Sequence, residues 1–114
     1  MENPKNDKYY FELTLKELYI LNDYVNEVVD FHEFQSDIKT HDAIFFRFVE
    51  MIEHIKNISK EFKELHPEIE WGEIVGFRNG IVHNYYSTKL DYVYDTMKND
   101  LNPLKELLEA ELKK

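Results

Sequence analysis

The sequence predicts an all-α protein, an antiparallel bundle of four to five helices in one domain that spans residues 1–114. Apolar residues recur at three- and four-residue steps along most of the chain, which is the period of a helix buried on one face. No run alternates with period two for long enough to predict a strand. There are no repeats, low-complexity segments or linkers, so a single helical bundle is expected.

The first helix is predicted from about residue 8 to residue 31. Asn6 or Asp7 can cap its N-terminus with a side-chain oxygen. The segment 31–37 breaks the apolar rhythm and is expected to be a loop. The apolar positions of this helix are Phe11, Leu15, Leu18, Leu21, Val25 and Val28.

A second helix is predicted to follow that loop and to end before Pro67, because the residue before a proline avoids helical backbone angles. Its predicted core stripe is wide. The stripe contains Phe45, Phe48, Ile52, Ile55, Phe62 and Leu65, widened by Ile44, Met51 and Ile58.

A third helix is predicted from about Ile69 to Tyr85, with Glu68 and Glu70 favouring its first turn through the helix dipole. A turn is expected at residues 87–89. The fourth helix then runs onward to about Leu108, and Pro103 either kinks it or starts a separate final segment. Its apolar positions are Leu90, Val93, Tyr94, Met97, Leu101, Leu104 and Leu108.

Charge and composition restrict the function. The chain has 14 Lys and Arg against 23 Asp and Glu, a net charge of −9, which opposes non-specific attraction to a polyanion. A nucleic-acid ligand would therefore need a local site. The chain has no cysteine and no apolar run of membrane-spanning length, so a cytoplasmic protein without a membrane partner is expected.

The third helix carries an unusual group of polar residues. Arg78 is followed at once by Asn79, then by His83 and Tyr85. Arginine grips phosphate with a planar fork, and histidine moves protons near neutral pH. Together they suit cleavage of a phosphodiester without a metal, although a histidine by itself is more often structural.

The same helix has a stripe of small and polar residues. With about 100° per residue, Gly76, Asn79, Gly80 and His83 fall on one side of an ideal helix, and the apolar residues fall on the other. Two glycines one turn apart let another helix approach closely. We therefore expect Gly76 and Gly80 to lie at a dimer interface.

Arg78 falls inside the apolar arc of this helix, where an unpaired charge is costly. It needs a carboxylate partner, or the helix must unwind near Gly80 to release it. Glu50 and Glu53 on the second helix are the nearest candidates, and the sequence does not choose between them. A simpler interpretation is an Arg–Glu pair that only fixes helix packing.

No metal or cofactor is expected. The other histidines are irregularly spaced and no cysteine accompanies them, so they do not form a ligand set. A glycine-rich phosphate loop, a serine nucleophile elbow and a paired-carboxylate motif are also absent from the sequence.

The pattern Arg78-Asn79-x-x-x-His83-x-Tyr85 resembles the R-N-x-x-x-H-x-Y signature of the HEPN superfamily, and specifically its HepT toxin branch. The segments 71–77 and 90–108 resemble the flanks of that motif. By this resemblance Arg78, His83 and Asn79 are catalytic. Tyr85 is the residue to which an MNT-type nucleotidyltransferase antitoxin adds AMP, and Tyr86 is structural.

The resemblance implies a homodimeric ribonuclease toxin of a type VII-like toxin–antitoxin system that acts on RNA and is neutralised by AMPylation. An alternative from another class is a non-catalytic helical dimer. Such a dimer would be the binding subunit of a nucleotidyltransferase complex, with Arg78 and His83 as nucleotide or interface contacts.

Overall fold

The computed structural model describes residues 6–28, 30–83 and 94–114, with the backbone alone for residues 81–83. The structure is 82% helical, and none of the described residues forms a strand, so the predicted all-α bundle is confirmed. The elements are α1 (Asp7–Asn26), α2 (Phe31–Ser36), α3 (Ile38–Ile55), α4 (Lys60–Leu65), α5 (Trp71–His83), a π-helical turn (Thr96–Asp100) and α6 (Asn102–Leu112).

The core lies where α1 and α3 pack along each other, the most extensive helix pair in the structure. As predicted, Asn6 caps α1, and its side-chain oxygen accepts a hydrogen bond of 3.2 Å from the Tyr9 backbone N–H. Of the two helices in this pair, α1 also packs against α6, and α3 also packs against α5. Fully buried core side chains include Leu18, Leu21, Phe34, Phe48, Met51, Ile52, Met97 and Leu108.

The predicted loop at residues 31–37 is wrong, because a short helix, α2, occupies Phe31–Ser36, and α1 ends at Asn26 rather than residue 31. The Asp30 side chain caps α2 by accepting a hydrogen bond of 3.0 Å from the Glu33 N–H. An acidic cap with a glutamate three residues later is a helix-start signal. Phe34 of α2 is buried, which ties this short helix to the core.

The single second helix predicted up to Leu65 is also wrong, because α3 ends at Ile55 and α4 begins at Lys60. Ser59 has an extended backbone and caps α4 through a bond from Phe62 N–H to its hydroxyl oxygen. The Asp7 carboxylate accepts from both the Ser59 backbone N–H, at 2.8 Å, and the Ser59 hydroxyl, at 2.6 Å. A side chain in the first turn of α1 therefore stabilises the break between α3 and α4.

Of the two possibilities for Pro103, the structure has the separate final segment. The π-helical turn precedes α6, and Pro103 lies in the first turn of α6, where its missing N–H removes no helical hydrogen bond. The predicted turn at residues 87–89 and the apolar positions Leu90 and Val93 lie outside the described residues. In the part of the chain that is described, no helix has the length and hydropathy of a membrane span.

Candidate active site

Helix α5 presents the motif because its apolar side packs inward. Ile74 is buried, and the Phe77 ring meets the Phe48 ring of α3 edge to face, with ring centroids 5.9 Å apart. The start of the helix is fixed by Trp71, whose indole N–H donates a hydrogen bond of 3.0 Å to the His66 carbonyl. Asn79 and Gly76 lie on the exposed side of α5.

The polar stripe lies away from the core of the chain. Gly76 and Asn79 are exposed and Gly80 is half-buried. Among the described residues, a Cβ atom built at Gly76 or at Gly80 meets no heavy atom within 4 Å. This side of α5 therefore has room for a second surface.

Arg78 leans toward α3, where its Nε atom lies 3.8 Å from Oε1 of Glu53. Glu53 is thus the glutamate that the structure places beside Arg78, whereas Glu50 is half-buried one turn earlier on α3. The separation is longer than a hydrogen bond, and Arg78 Nε has no hydrogen-bond partner among the described residues. The contact is an ion pair without a direct hydrogen bond.

The Arg78 side chain is only partly sheltered. Its Nε atom is buried, yet the side chain as a whole is 32% exposed, so its exposed surface belongs to other atoms. α5 remains helical through Gly80 and on to His83, so unwinding is not what releases the charge. A pair this exposed contributes about 0–1 kcal/mol to stability, so it adds little to the packing of α5 on α3.

Lys56, just beyond the end of α3, was not singled out from the sequence, and it shares the same carboxylate. Its Nζ atom lies 3.4 Å from Oε2 of Glu53, and its side chain is 48% exposed. The i,i+3 spacing of Glu53 and Lys56 on a helix is the sequence signal for this contact. One glutamate therefore contacts two cations, one through each carboxylate oxygen.

The second half of the motif is described only in part. His83 is the last residue of α5, the helix that also contains Arg78. Only its backbone is described. Tyr85, the expected acceptor of AMP, and its neighbour Tyr86 also lie outside them.

A cleft of about 270 Å³ lies between the first half of α5 and the π-helical turn. Its apolar lining residues include Ile74 and Leu104. Four carboxylates line it, those of Glu68, Glu70, Glu73 and Asp100. The pKa of Glu68 is lowered by a backbone hydrogen bond and, to a lesser degree, by His66, so this acid stays ionised at neutral pH. A cleft with this charge repels phosphate and does not suit an RNA backbone.

Metal ligands are not gathered anywhere in the described ranges. Within residues 6–28, 30–83 and 94–114, no three His, Cys, Asp or Glu side chains are grouped so as to hold a metal ion.

Comparison with known protein families shows which family the chain belongs to. The model of the family described as "Ribonuclease HepT-like" matches residues 14–111, most of the chain and all of the helix that carries the motif. The chain belongs to the HepT-like family. The family resemblance predicted from the motif is therefore confirmed.

Relatives of this HepT-like chain have names that agree with the match. A "Probable ribonuclease HepT" of Thermococcus cleftensis is 33% identical over 102 residues, which cover 89% of this chain and 91% of the relative. A candidate RNase of Caldanaerobacter subterraneus subsp. tengcongensis is 32% identical over 112 residues, covering 94% and 98%. No solved structure matches the chain.

Proposed function

We propose that this protein is a metal-independent RNA endonuclease, the toxin of a type VII-like toxin–antitoxin system. The observation that carries the proposal is the position of Arg78 in a HepT-like chain. Its side chain is 32% exposed and lies on the helix that also contains His83. The ribonuclease names of the relatives support RNA as the substrate.

Arg78 holds the scissile phosphate and neutralises the charge that develops on it. Glu53 is its partner and approaches from the Nε side. This leaves the two terminal nitrogens of the guanidinium for the phosphate, which they bind with two parallel hydrogen bonds. Glu53 therefore orients Arg78 rather than simply neutralising it.

His83 moves the protons of the reaction. The RNA 2′-oxygen loses its proton and forms a bond to phosphorus, while the bond from phosphorus to the 5′-oxygen breaks and that oxygen gains a proton. The products are a 2′,3′-cyclic phosphate and a 5′-hydroxyl. Asn79, exposed one turn before His83, donates a hydrogen bond to the phosphate or orients the imidazole.

The active form is a homodimer in which the two copies of α5 meet along Gly76 and Gly80. The space beside both glycines supports this arrangement, since a Cβ atom built at either one meets no atom of the described residues within 4 Å. The two motifs would then lie near the two-fold axis.

Control is assigned to Tyr85 and an MNT-type nucleotidyltransferase antitoxin. The Tyr85 hydroxyl oxygen attacks the α-phosphorus of ATP, pyrophosphate leaves, and the antitoxin supplies its own Mg²⁺. The AMP adds a negative charge and bulk two residues from His83 in the sequence, where it competes with RNA for Arg78. Cleavage stops as a result.

Expression in bacteria tests the proposal. The chain alone should arrest growth and degrade RNA, co-expression with a cognate MNT-type nucleotidyltransferase should restore growth, and His83→Ala should be harmless at equal protein level. A harmless wild-type chain that still binds the nucleotidyltransferase would contradict the nuclease and favour the non-catalytic binding subunit.

A further inference from the structure

The carboxylate of Glu53 is shared by two cations that come from different helices. Oε1 faces Nε of Arg78 at 3.8 Å, and Oε2 faces Nζ of Lys56 at 3.4 Å. Two positive charges and one negative charge leave this cluster with a net charge of +1. In a chain whose net charge is −9, such a cluster is a local site of the kind that binding to a polyanion requires.

We propose that Lys56 is a second phosphate-binding residue and that Glu53 is a positioning residue that sets Arg78 and Lys56 side by side for two phosphates of one RNA strand. This inference rests on the proposed ribonuclease function. It adds a substrate contact on the end of α3, outside the R-N-x-x-x-H-x-Y motif.

The two side chains differ in a way that suits the two tasks. Arg78 has a buried Nε and a planar fork that can bind a phosphate with two hydrogen bonds, which suits the phosphate at which the bond is cut. Lys56 has a mobile point charge and is 48% exposed, which suits a neighbouring phosphate whose orientation varies with sequence.

The ion pair of Lys56 with Glu53 is weak enough to be exchanged for a phosphate. Exposed pairs at i,i+3 stabilise a helix only weakly, whereas a phosphate contact also releases counterions from the nucleic acid. The acidic cleft beside the first half of α5 excludes the RNA from that part of the helix. Arg78 on α5 and Lys56 at the end of α3 therefore provide the favourable path for the RNA strand.

The salt dependence of binding tests Lys56. The probe is a short fluorescein-labelled RNA of mixed sequence with 2′-O-methyl groups, which lacks the 2′-hydroxyl nucleophile and is not cut. Fluorescence anisotropy gives its affinity for the wild-type chain, Lys56→Gln and Lys39→Gln over a series of salt concentrations. Lys39 is the matched control, because it is an exposed lysine on the first turn of the same helix and its loss changes the net charge equally.

Lys56→Gln should reduce the slope of log K against log salt by about 0.7, the value for one phosphate contact of a single strand, and Lys39→Gln should leave it unchanged. Equal slopes for the two variants, with wild-type protein that binds the probe, would overturn the role of Lys56 and leave the ribonuclease proposal standing. Failure of the wild-type chain to bind the probe would overturn both.

Glu53→Gln tests the positioning role. Removal of the negative charge between the cations should tighten binding of the same probe several-fold. Arg78 would also lose the carboxylate that orients it, so kcat for cleavable RNA should fall. Weaker binding together with a lower melting temperature would show that Glu53 has only a structural role and would overturn its assignment.

Discussion

At the scale of single residues, the account depends on Arg78. The helical pattern places it in the apolar arc of α5, and the structure resolves the conflict by an ion pair to Glu53 without burying the whole side chain. Because such a pair contributes little to stability, Arg78 can be replaced without loss of the fold. Its substitutions therefore report on chemistry.

Arg78→Lys is the sharpest of these substitutions. Lysine keeps the charge but loses the two-pronged geometry, so we expect cleavage to fall, though by less than the loss of about 10² expected for Arg78→Ala, which removes the charge as well. Rates are to be measured on a labelled RNA, with circular dichroism to show that the helix content is unchanged. An Arg78→Lys variant as active as the wild type would contradict bidentate binding of the phosphate.

Tyr85→Phe separates activity from control. The variant keeps the aromatic ring and loses the hydroxyl that accepts AMP, so it should cut RNA normally and resist neutralisation by the nucleotidyltransferase. Intact-mass and peptide spectrometry of the co-expressed chains measure the modification. If AMP is found on Tyr86 instead, the acceptor is the neighbouring residue.

At the scale of helices, capping side chains set helix starts that the hydrophobic period does not predict. The hydrophobic period predicted the buried faces of α1 and α3, because each of these helices buries a long stripe of apolar side chains. It passed over α2 and the break before α4, whose starts are set by Asp30 and Ser59. The contacts of Glu53 with Arg78 and Lys56 depend on how α3 and α5 are rotated against each other, which one-dimensional periodicity does not contain.

The contact between Asp7 and Ser59 gives a prediction at this scale. Asp7→Ala removes an acceptor of two hydrogen bonds that joins α1 to α4, so the free energy of unfolding should fall by about 1.5–3 kcal/mol. Urea denaturation followed by circular dichroism measures it. Asp23→Ala, at an exposed position of the same helix, is the control and should change stability by less than about 0.5 kcal/mol. Equal losses in the two variants would contradict a specific role for Asp7.

At the scale of the whole molecule, charge is distributed unevenly along α5. The carboxylates of the cleft lie beside its first half, and Arg78 with its partners Glu53 and Lys56 lies further along. A protein of net charge −9 can therefore act on RNA through one local site while the rest of its surface repels the substrate.

The dimer is tested by Gly80→Leu. A leucine at this position fills the space that a facing helix would use, so the dimer should dissociate at micromolar concentration while the monomer stays folded. Multi-angle light scattering gives the mass. Ala110→Leu, which adds the same side chain at an exposed position of α6, should remain dimeric. A wild-type chain that is monomeric throughout would contradict the composite site.

The most direct test of the central claim is cleavage of total RNA by the purified chain in EDTA, with the ends of the products identified by mass spectrometry. The account predicts cleavage that persists in EDTA, leaves 2′,3′-cyclic phosphate and 5′-hydroxyl ends, and disappears in a folded His83→Ala variant. Cleavage that EDTA abolishes, or that His83→Ala retains, would contradict it.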